Sequence, residues 1–422
     1  MALRSLDRRN SLDWGRRRRR RLPSLRAAAV LLLVLVVLAA AGAIVQLTRA
    51  VPALSFVQEA PGTVVVPGSP PAMPWPAGGQ ATVSVAGIGS LGASGSQAPV
   101  PVASLTKVMT AYVVLGDHPL APGAQGPPIT MTAADVAAYA FGAAENQSVA
   151  RVVAGEQLTE HQALEAALVA SSNNIATALA RWDAGSEAAF VTKMNAAAAR
   201  LGMKATRYAD STGLSAGSVS NATDQVTLAT NVMSEPAFAA IVGEASVDLP
   251  VAGILYNYDY LVGHAGIVGV KTGSTLQAGG CFLFAAHRAV GGRDELVVGA
   301  VLGQRGSSIL EAALSAGQRL IAAAAAAVRP IAVPLPPGPV GQIRVPWGRA
   351  VPVTAPGGAV FLGWPGMAVR ITVAHVRLRA PLAAGQQVGT VTYRVGARTV
   401  VQPATVAGPV PRASLSWRLR RR

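Results

Sequence analysis

The sequence predicts an α+β domain, with helices packed on an antiparallel sheet, followed by a small all-β domain. Three observations predict it. Between residues 103 and 201 apolar positions recur at helical spacing. From 267 to 302 the period shortens to that of strands joined by short turns, and a helical run closes the segment. After Pro330 the chain becomes a series of short Val-rich segments separated by Gly and Pro, with no acidic residue.

In chain order, Arg16 to Arg21 is an unbroken run of six Arg, Arg26 follows, and Ala27 to Leu47 carries no charge. At about 1.5 Å per residue such a helix spans the ~30 Å hydrocarbon core of a bilayer. Basic residues before it and only Arg49 soon after it predict a cytoplasmic N-terminus with the rest of the chain outside. A cleaved signal peptide is the competing reading, since Ala39-Ala40-Ala41 and Ala41-Gly42-Ala43 offer small-residue cleavage patterns. The length of the apolar run favours an uncleaved anchor. Residues 48 to 76 contain seven prolines and read as an extended linker.

Ala81 to Gly89 alternates like a strand. Gly87-Ile88-Gly89-Ser90-Leu91-Gly92 matches a dinucleotide-binding fingerprint, but the Gly-, Ser- and Pro-rich stretch 93–101 cannot open the helix that the fingerprint needs, so a hairpin turn accounts for these glycines. Helical patterns follow at Ala103 to Val114, at Leu158 to Trp182 with a break over Ser171 to Asn174, and at Glu187 to Leu201 with a Gly202 stop. Ile267 to Thr275, Gly280 to Arg288 and Glu295 to Leu302 read as strands, and Ile309 to Val328 as a helix. Ala368 to Val376, Gln387 to Tyr393 and Arg398 to Val401 read as strands of the β domain.

The formal net charge of +16 over 422 residues raises a nucleic-acid hypothesis. Its distribution argues against one: residues 1–50 hold eleven Arg and two Asp, residues 51–327 hold twelve basic and eighteen acidic residues, and residues 328–422 hold thirteen Arg and no acid. The excess sits at the two ends of an exported chain, which meets no nucleic acid. The single Cys281 excludes an intrachain disulfide and lies in an apolar stretch, as a core residue would. The five His show no metal-ligand spacing, so no metal site and no cofactor are expected.

Only four of the 36 basic residues are Lys, and a buried Lys, unlike Arg, can give up its proton and act as a base. In Ser104-Leu105-Thr106-Lys107 a spacing of three puts a hydroxyl and an amine on one helix face. Ser171-Ser172-Asn173 interrupts a helical run, where Ser and Asn favour caps and turns. Lys271-Thr272-Gly273 lies in a strand, with a charge suited to a carboxylate and a Gly that permits close approach. S-x-x-K, S-x-N and K-T-G in this order are the motif set of active-site-Ser β-lactamases and penicillin-binding proteins.

With Met194-Asn195, Leu201-Gly202-Met203, Asp210 to Leu214 and Ala278-Gly279-Gly280-Cys281, the chain resembles the D-alanyl-D-alanine carboxypeptidase family, the low-molecular-mass penicillin-binding proteins, over roughly residues 80 to 325. The resemblance implies a β-lactamase/transpeptidase-like domain and a serine-type carboxypeptidase that removes the terminal D-alanine from peptidoglycan stem pentapeptides and is acylated by β-lactams. It implies that Ser104 attacks the carbonyl, Lys107 takes its proton and Ser171 relays it to the leaving amine. Asn173 would bind the substrate backbone, Lys271, Thr272 and Gly273 would line the carboxylate subsite, and the N–H groups of Ser104 and Ser274 would form the oxyanion hole. Arg305 is a further candidate for the carboxylate. Asn174 stands where the family commonly has Asp, and the family's amphipathic C-terminal anchor is not evident.

No class A type Glu is placed as a deacylating base, because Glu145 and Glu156 read as surface or loop residues; that favours a peptidase over a β-lactamase. D,D-endopeptidase action and a non-catalytic wall-binding role remain alternatives. The expected organisation is a cytoplasmic basic segment (1–26), a signal-anchor (27–47), a linker (48–79), a peptidase domain (80–328) and a basic β-rich domain (329–422). The partners expected are peptidoglycan, β-lactams and the membrane, at the cell membrane with the catalytic domain outside, or secreted if the anchor is cleaved.

Overall fold

The computed structural model describes residues 24–421 except Pro336; most of the expected cytoplasmic segment lies outside the described residues. The described helices are α1 (Leu25–Thr48), α2 (Thr106–Asp117), α3 (Ala133–Ala144), α4 (Glu160–Leu168), α5 (Asn173–Ala184), α6 (Glu187–Arg200), α7 (Ala222–Val232), α8 (Pro236–Val242), α9 (Ile309–Ala327) and α10 (Leu415–Arg420). Their starts follow from local chemistry. Thr132 with Asp135 and Thr159 with Gln162 form reciprocal capping boxes at α3 and α4, and the Asn221 side chain caps α7. α5 stops at Gly185, whose φ of 77° lets the backbone turn left-handed.

A five-stranded antiparallel sheet carries the site. Its spatial order is Ile267–Thr275, Gly279–Val290, Arg293–Gln304, Gln80–Val85 and Gly89–Ser94. The last two strands form the hairpin expected from the glycines at 87–92. Alternation along Gly279–Val290 sends Cys281, Leu283 and Ala285 into a core shared with α2 and α4 to α8. Phe282, Phe284 and Ala286 point the other way, into a core shared with α9. Both faces are thus covered, the α+β arrangement that the change of period predicts. Four helices escaped the periodicity reading: α3 is too uniformly Ala-rich to show an apolar stripe, and α7, α8 and α10 are short.

The β-rich region is a seven-stranded sheet in the order Ser55–Gln58, Gly341–Arg344, Val351–Thr354, Arg398–Val406, Gln387–Val395, Ala368–His375 and Thr63–Val65. Its two edge strands come from the Pro-rich segment 48–79, read from composition as an extended linker. Between the prolines, Ser55-Phe56-Val57-Gln58 and Thr63-Val64-Val65 are strand-forming. Their pairing partners, Gly341–Arg344 and Ala368–Arg370, lie some 300 residues onward, which no local pattern reveals. Because only residues 59–62 join the edges, the sheet curls until they lie within about 18 Å of each other. Arg398 reaches from this sheet to the buried Glu295 of the five-stranded sheet, and one apolar core runs from α9 through Ile331 and Phe361 to Val391 and Tyr393.

α1 stands apart from both cores. None of its residues is buried, and Leu and Val are exposed on all sides, a pattern common to membrane anchors and signal sequences.

Candidate active site

A single 3-10 turn, Ala103–Leu105, leads into α2 and presents Ser104. Ala103 enters it at φ 49°, a left-handed conformation that costs a non-Gly residue about 1–3 kcal/mol and is found where the surroundings over-determine the backbone. Three contacts do so here. The strand Ile267–Thr275 lies so close that a Cβ on Gly273 would sit 2.9 Å from Ser104 N and 3.0 Å from a Leu105 methyl. Gly213, at φ 85°, leaves no more room: its Cβ would fall 1.8 Å from the Ala103 carbonyl oxygen. Lys107 and Thr110, one and two turns beyond Ser104 on the same face of α2, donate to Thr212 O at 2.8 Å and Ser211 O at 2.7 Å.

Lys107 is fully buried, and its amine has three partners. It lies 3.0 Å from Ser104 Oγ, 2.7 Å from Asn173 Oδ1 and 2.8 Å from Thr212 O. Burial pushes the Lys107 pKa well below that of a free lysine, and the charge of Lys271 lowers it further, against the pull of Asp210. Asn173 itself is fixed: its N–H donates to Ser148 O at 2.8 Å and its Nδ2 to Gln147 Oε1 at 3.2 Å.

A break separates α4 from α5 at the place expected, though no side chain caps α5. Ser171 adopts φ 56° and is buried, and Ser172 leads into α5. Among the described residues, Ser171 makes no side-chain hydrogen bond to Ser104 or Lys107. Asn174 bonds the backbone of Ala150 twice, accepting from its N–H at 3.0 Å and donating to its carbonyl at 2.8 Å. An Asp there has no donor for the second contact. Asn174→Asp is therefore expected to destabilise the protein by about 1–3 kcal/mol, measured by denaturant unfolding.

Lys271 is buried in the middle of its strand and donates to Thr272 O at 3.0 Å. Burial lowers its pKa to about 7, opposed by Asp259, a buried carboxyl that burial in turn raises to about 6. Ser274, near the end of the same strand, is exposed. Arg305 is engaged elsewhere: it donates to Leu276 O at 2.6 Å and Gln277 O at 2.8 Å, so it braces the turn that follows the strand. Glu145 is exposed at the end of α3, and Glu156 accepts from Val153 N in a turn. A cavity of about 360 Å³ opens beside Asn173 and Thr212, walled by Phe141, Gln147 and Leu214.

Two groups that matter were assigned no role from the sequence. Asp210 ties the 210–218 loop, accepting from Thr212 Oγ1, the N–H groups of Gly213 and Leu214, and Ser218 Oγ; that loop supplies the carbonyl over Lys107. Asp259 sits outside every motif. The first is visible only as part of the Asp210-to-Leu214 resemblance, and the second not at all.

A family model described as D-alanyl-D-alanine carboxypeptidase matches residues 90–305, half of the chain. The chain belongs to the D-alanyl-D-alanine carboxypeptidase family. It is thereby a serine-type hydrolase, as the motif set implied. It is 31% identical over 217 residues to a D-alanyl-D-alanine carboxypeptidase of Streptomyces sp. K15, a match covering 47% of this chain and 71% of that one. It is 42% identical over 125 residues to a D-alanyl-D-alanine endopeptidase of Pseudomonas aeruginosa, covering 30% of this chain and 37% of that relative. The crystal structure of penicillin binding protein 5 from Haemophilus influenzae, 20% identical, covers 81% of this chain and 99% of its own with a TM-score of 0.57, a likeness of fold that reaches into the β-rich region of this family member.

Proposed function

We propose that this protein removes the terminal D-alanine from peptidoglycan stem pentapeptides through an acyl-enzyme on Ser104, and that β-lactams acylate the same hydroxyl. The observation that carries the proposal is the set of partners around Lys107. A neutral amine has two N–H groups and one lone pair. Asn173 Oδ1 and Thr212 O accept the two hydrogens, which leaves the lone pair for the proton of Ser104 Oγ at 3.0 Å. A charged ammonium buried beside Lys271 is disfavoured by both desolvation and repulsion.

In the first step Ser104 Oγ bonds to the carbonyl carbon of the penultimate D-alanine while its proton passes to Lys107. The tetrahedral oxygen is held by the N–H groups of Ser104 and Ser274; each such donor contributes about 10²–10³ in rate. Collapse breaks the C–N bond, and the proton returns through Ser171 to the departing amine of D-alanine. Water then attacks the ester, Lys107 again taking the proton, and Ser104 is regenerated. Lys271, with Thr272 and Gly273, binds the substrate's terminal carboxylate. Arg305 acts at one remove, holding the turn that ends their strand.

These roles predict opposite pH responses for the two lysines. The protonated form of Lys271 holds a carboxylate, and its pKa in the empty site is about 7. KM for a carboxylate-ended peptide is therefore expected to rise as pH increases above that value, approaching tenfold per unit. Acylation, which needs neutral Lys107, instead quickens with pH through its lowered pKa. A KM independent of pH between 6 and 9 would remove Lys271 from the carboxylate subsite.

The carboxypeptidase reading is tested by comparing D-alanine release from a pentapeptide with cleavage of a cross-linked dimer. Release from the pentapeptide is expected. Dimer cleavage without D-alanine release would assign the endopeptidase reaction, the activity in the name of the P. aeruginosa relative, and neither product would leave a wall-binding role. The exposed apolar helix α1 supports an anchor in the cell membrane with the peptidase outside it.

A further inference from the structure

We propose that the β-rich region contains a binding site for the phosphate headgroup of an anionic phospholipid, placed where the chain emerges from the membrane. The site is a cavity of about 460 Å³ between residues 51–54 on one side and Arg377, Arg379, Arg412, Arg418 and Trp347 on the other. Four guanidinium groups line it and no carboxylate does. None lies within this part of the chain: residues 328–422 contain no Asp or Glu. Among the described residues Arg377, Arg379 and Arg412 have no salt-bridge partner, whereas Arg398 of the same region is paired with Glu295. Like charges gathered round one cavity repel unless an anion lies between them, and guanidinium groups suit the oxygens of a phosphate.

The depth of the cavity identifies the source of the phosphate. α1 has 24 residues, about 36 Å of helix against a hydrocarbon core of about 30 Å, so its last turn stands at the level of the headgroups. The cavity wall begins at Val51, three residues past Thr48. It cannot drift away, because Ser55–Gln58 is hydrogen-bonded into the sheet at Gly341–Arg344. A second connection fixes the far wall. Arg418 donates to Leu47 O, and Arg421 donates to Gln46 O at 2.9 Å and Ala50 O at 2.9 Å, while Gln46 Nε2 donates to Arg421 O at 2.9 Å. The Gln46 and Leu47 carbonyls are among those that the end of a helix leaves without partners, and Ala50 lies just beyond it. Trp347 donates to Pro411 O at 2.8 Å and meets Trp417 edge-on at 5.9 Å, which puts two indoles at the height where Trp is enriched in membrane proteins. Arg377, Arg379 and Arg412 are thereby held at the outer surface of the membrane that α1 crosses, beside an Arg418 fixed to Leu47 O.

The inference rests on α1 remaining attached, so the test uses the full-length chain, whose intact mass verifies that condition. Native mass spectrometry from detergent micelles compares retention of phosphatidylglycerol and phosphatidylcholine with identical acyl chains. The wild type is expected to retain phosphatidylglycerol preferentially, and the Arg377→Gln/Arg379→Gln/Arg412→Gln variant to lose that preference, by about fivefold per arginine. A variant with the same charge loss away from the cavity, Arg329→Gln/Arg370→Gln/Arg394→Gln, is expected to keep it. Labelling of Ser104 by a penicillin in both variants reports that the fold is intact and is independent of the lipid result. Equal retention of the two lipids by the wild type would overturn the proposal. So would an equal loss in the two variants, which signifies diffuse attraction, or displacement of the lipid by soluble poly(glycerol phosphate) at equal phosphate concentration, which assigns the site to a wall polymer.

Discussion

Lys107→Arg is expected to slow acylation of Ser104 by about 10²–10⁴-fold, the contribution of a positioned general base. The substitution keeps a long basic side chain at the same place on α2 but replaces an amine that can lose its proton with a guanidinium that cannot. In the native site the amine is desolvated and faces Lys271, and its two acceptors, Asn173 Oδ1 and Thr212 O, use up the hydrogens of the neutral form. The pH profile separates loss of the base from a merely misplaced side chain. Acylation by the wild type should rise with pH through the lowered Lys107 pKa, and the residual rate of the variant should not follow that curve. Retention of the wild-type rate and profile would reduce Lys107 to an electrostatic role.

Gly213→Ala should be nearly as damaging, although the residue touches no substrate. The added Cβ falls 1.8 Å from the Ala103 carbonyl oxygen and 2.8 Å from Thr106 Oγ1, and Gly213 has φ 85°. Relief requires the 210–218 loop to withdraw from the turn that carries Ser104. Left-handed strain of about 1–2 kcal/mol adds to an overpacking cost of about 1–3 kcal/mol. A loss of about 3 kcal/mol in denaturant unfolding is expected, and because Thr212 O moves with the loop, acylation should slow as well. Gly202→Ala is the control: its φ is also positive, at 74°, but nothing lies within 4 Å of the added Cβ, so only the conformational part of the loss should appear. Equal losses in the two variants would show that the contact with Ala103 does not hold the site.

The elements that bear the three motifs were legible in the sequence because each obeys a local rule. Ser104 and Lys107 share a helix face at a spacing of three. Ser171 to Asn173 breaks a helical period, and Lys271 to Gly273 lies in a run of strand period. The core assignment of Cys281 follows in the same way from its apolar neighbours, and the residue is fully buried. What was not legible depends on residues distant in the chain. The strands at 55–58 and 63–65 look like linker because their partners are near residues 341 and 368. Asp259 acquires meaning only when folding brings it near Lys271. The guanidinium of Arg305 suits a carboxylate as well as the turn carbonyls it holds, and composition cannot choose between them. The thirteen Arg after residue 327 are likewise uniform in sequence; folding gathers four of them round one cavity at the end of α1.

Every role proposed for the site depends on one covalent bond, formed at Ser104 Oγ. The protein is incubated with a labelled penicillin and the modified peptide is identified by mass spectrometry after digestion. Label is expected on Ser104 in the wild type, and none on Ser104→Ala. A protein that takes up no label, or an Ser104→Ala variant labelled as fully as the wild type, would contradict the assignment of Ser104 as the nucleophile.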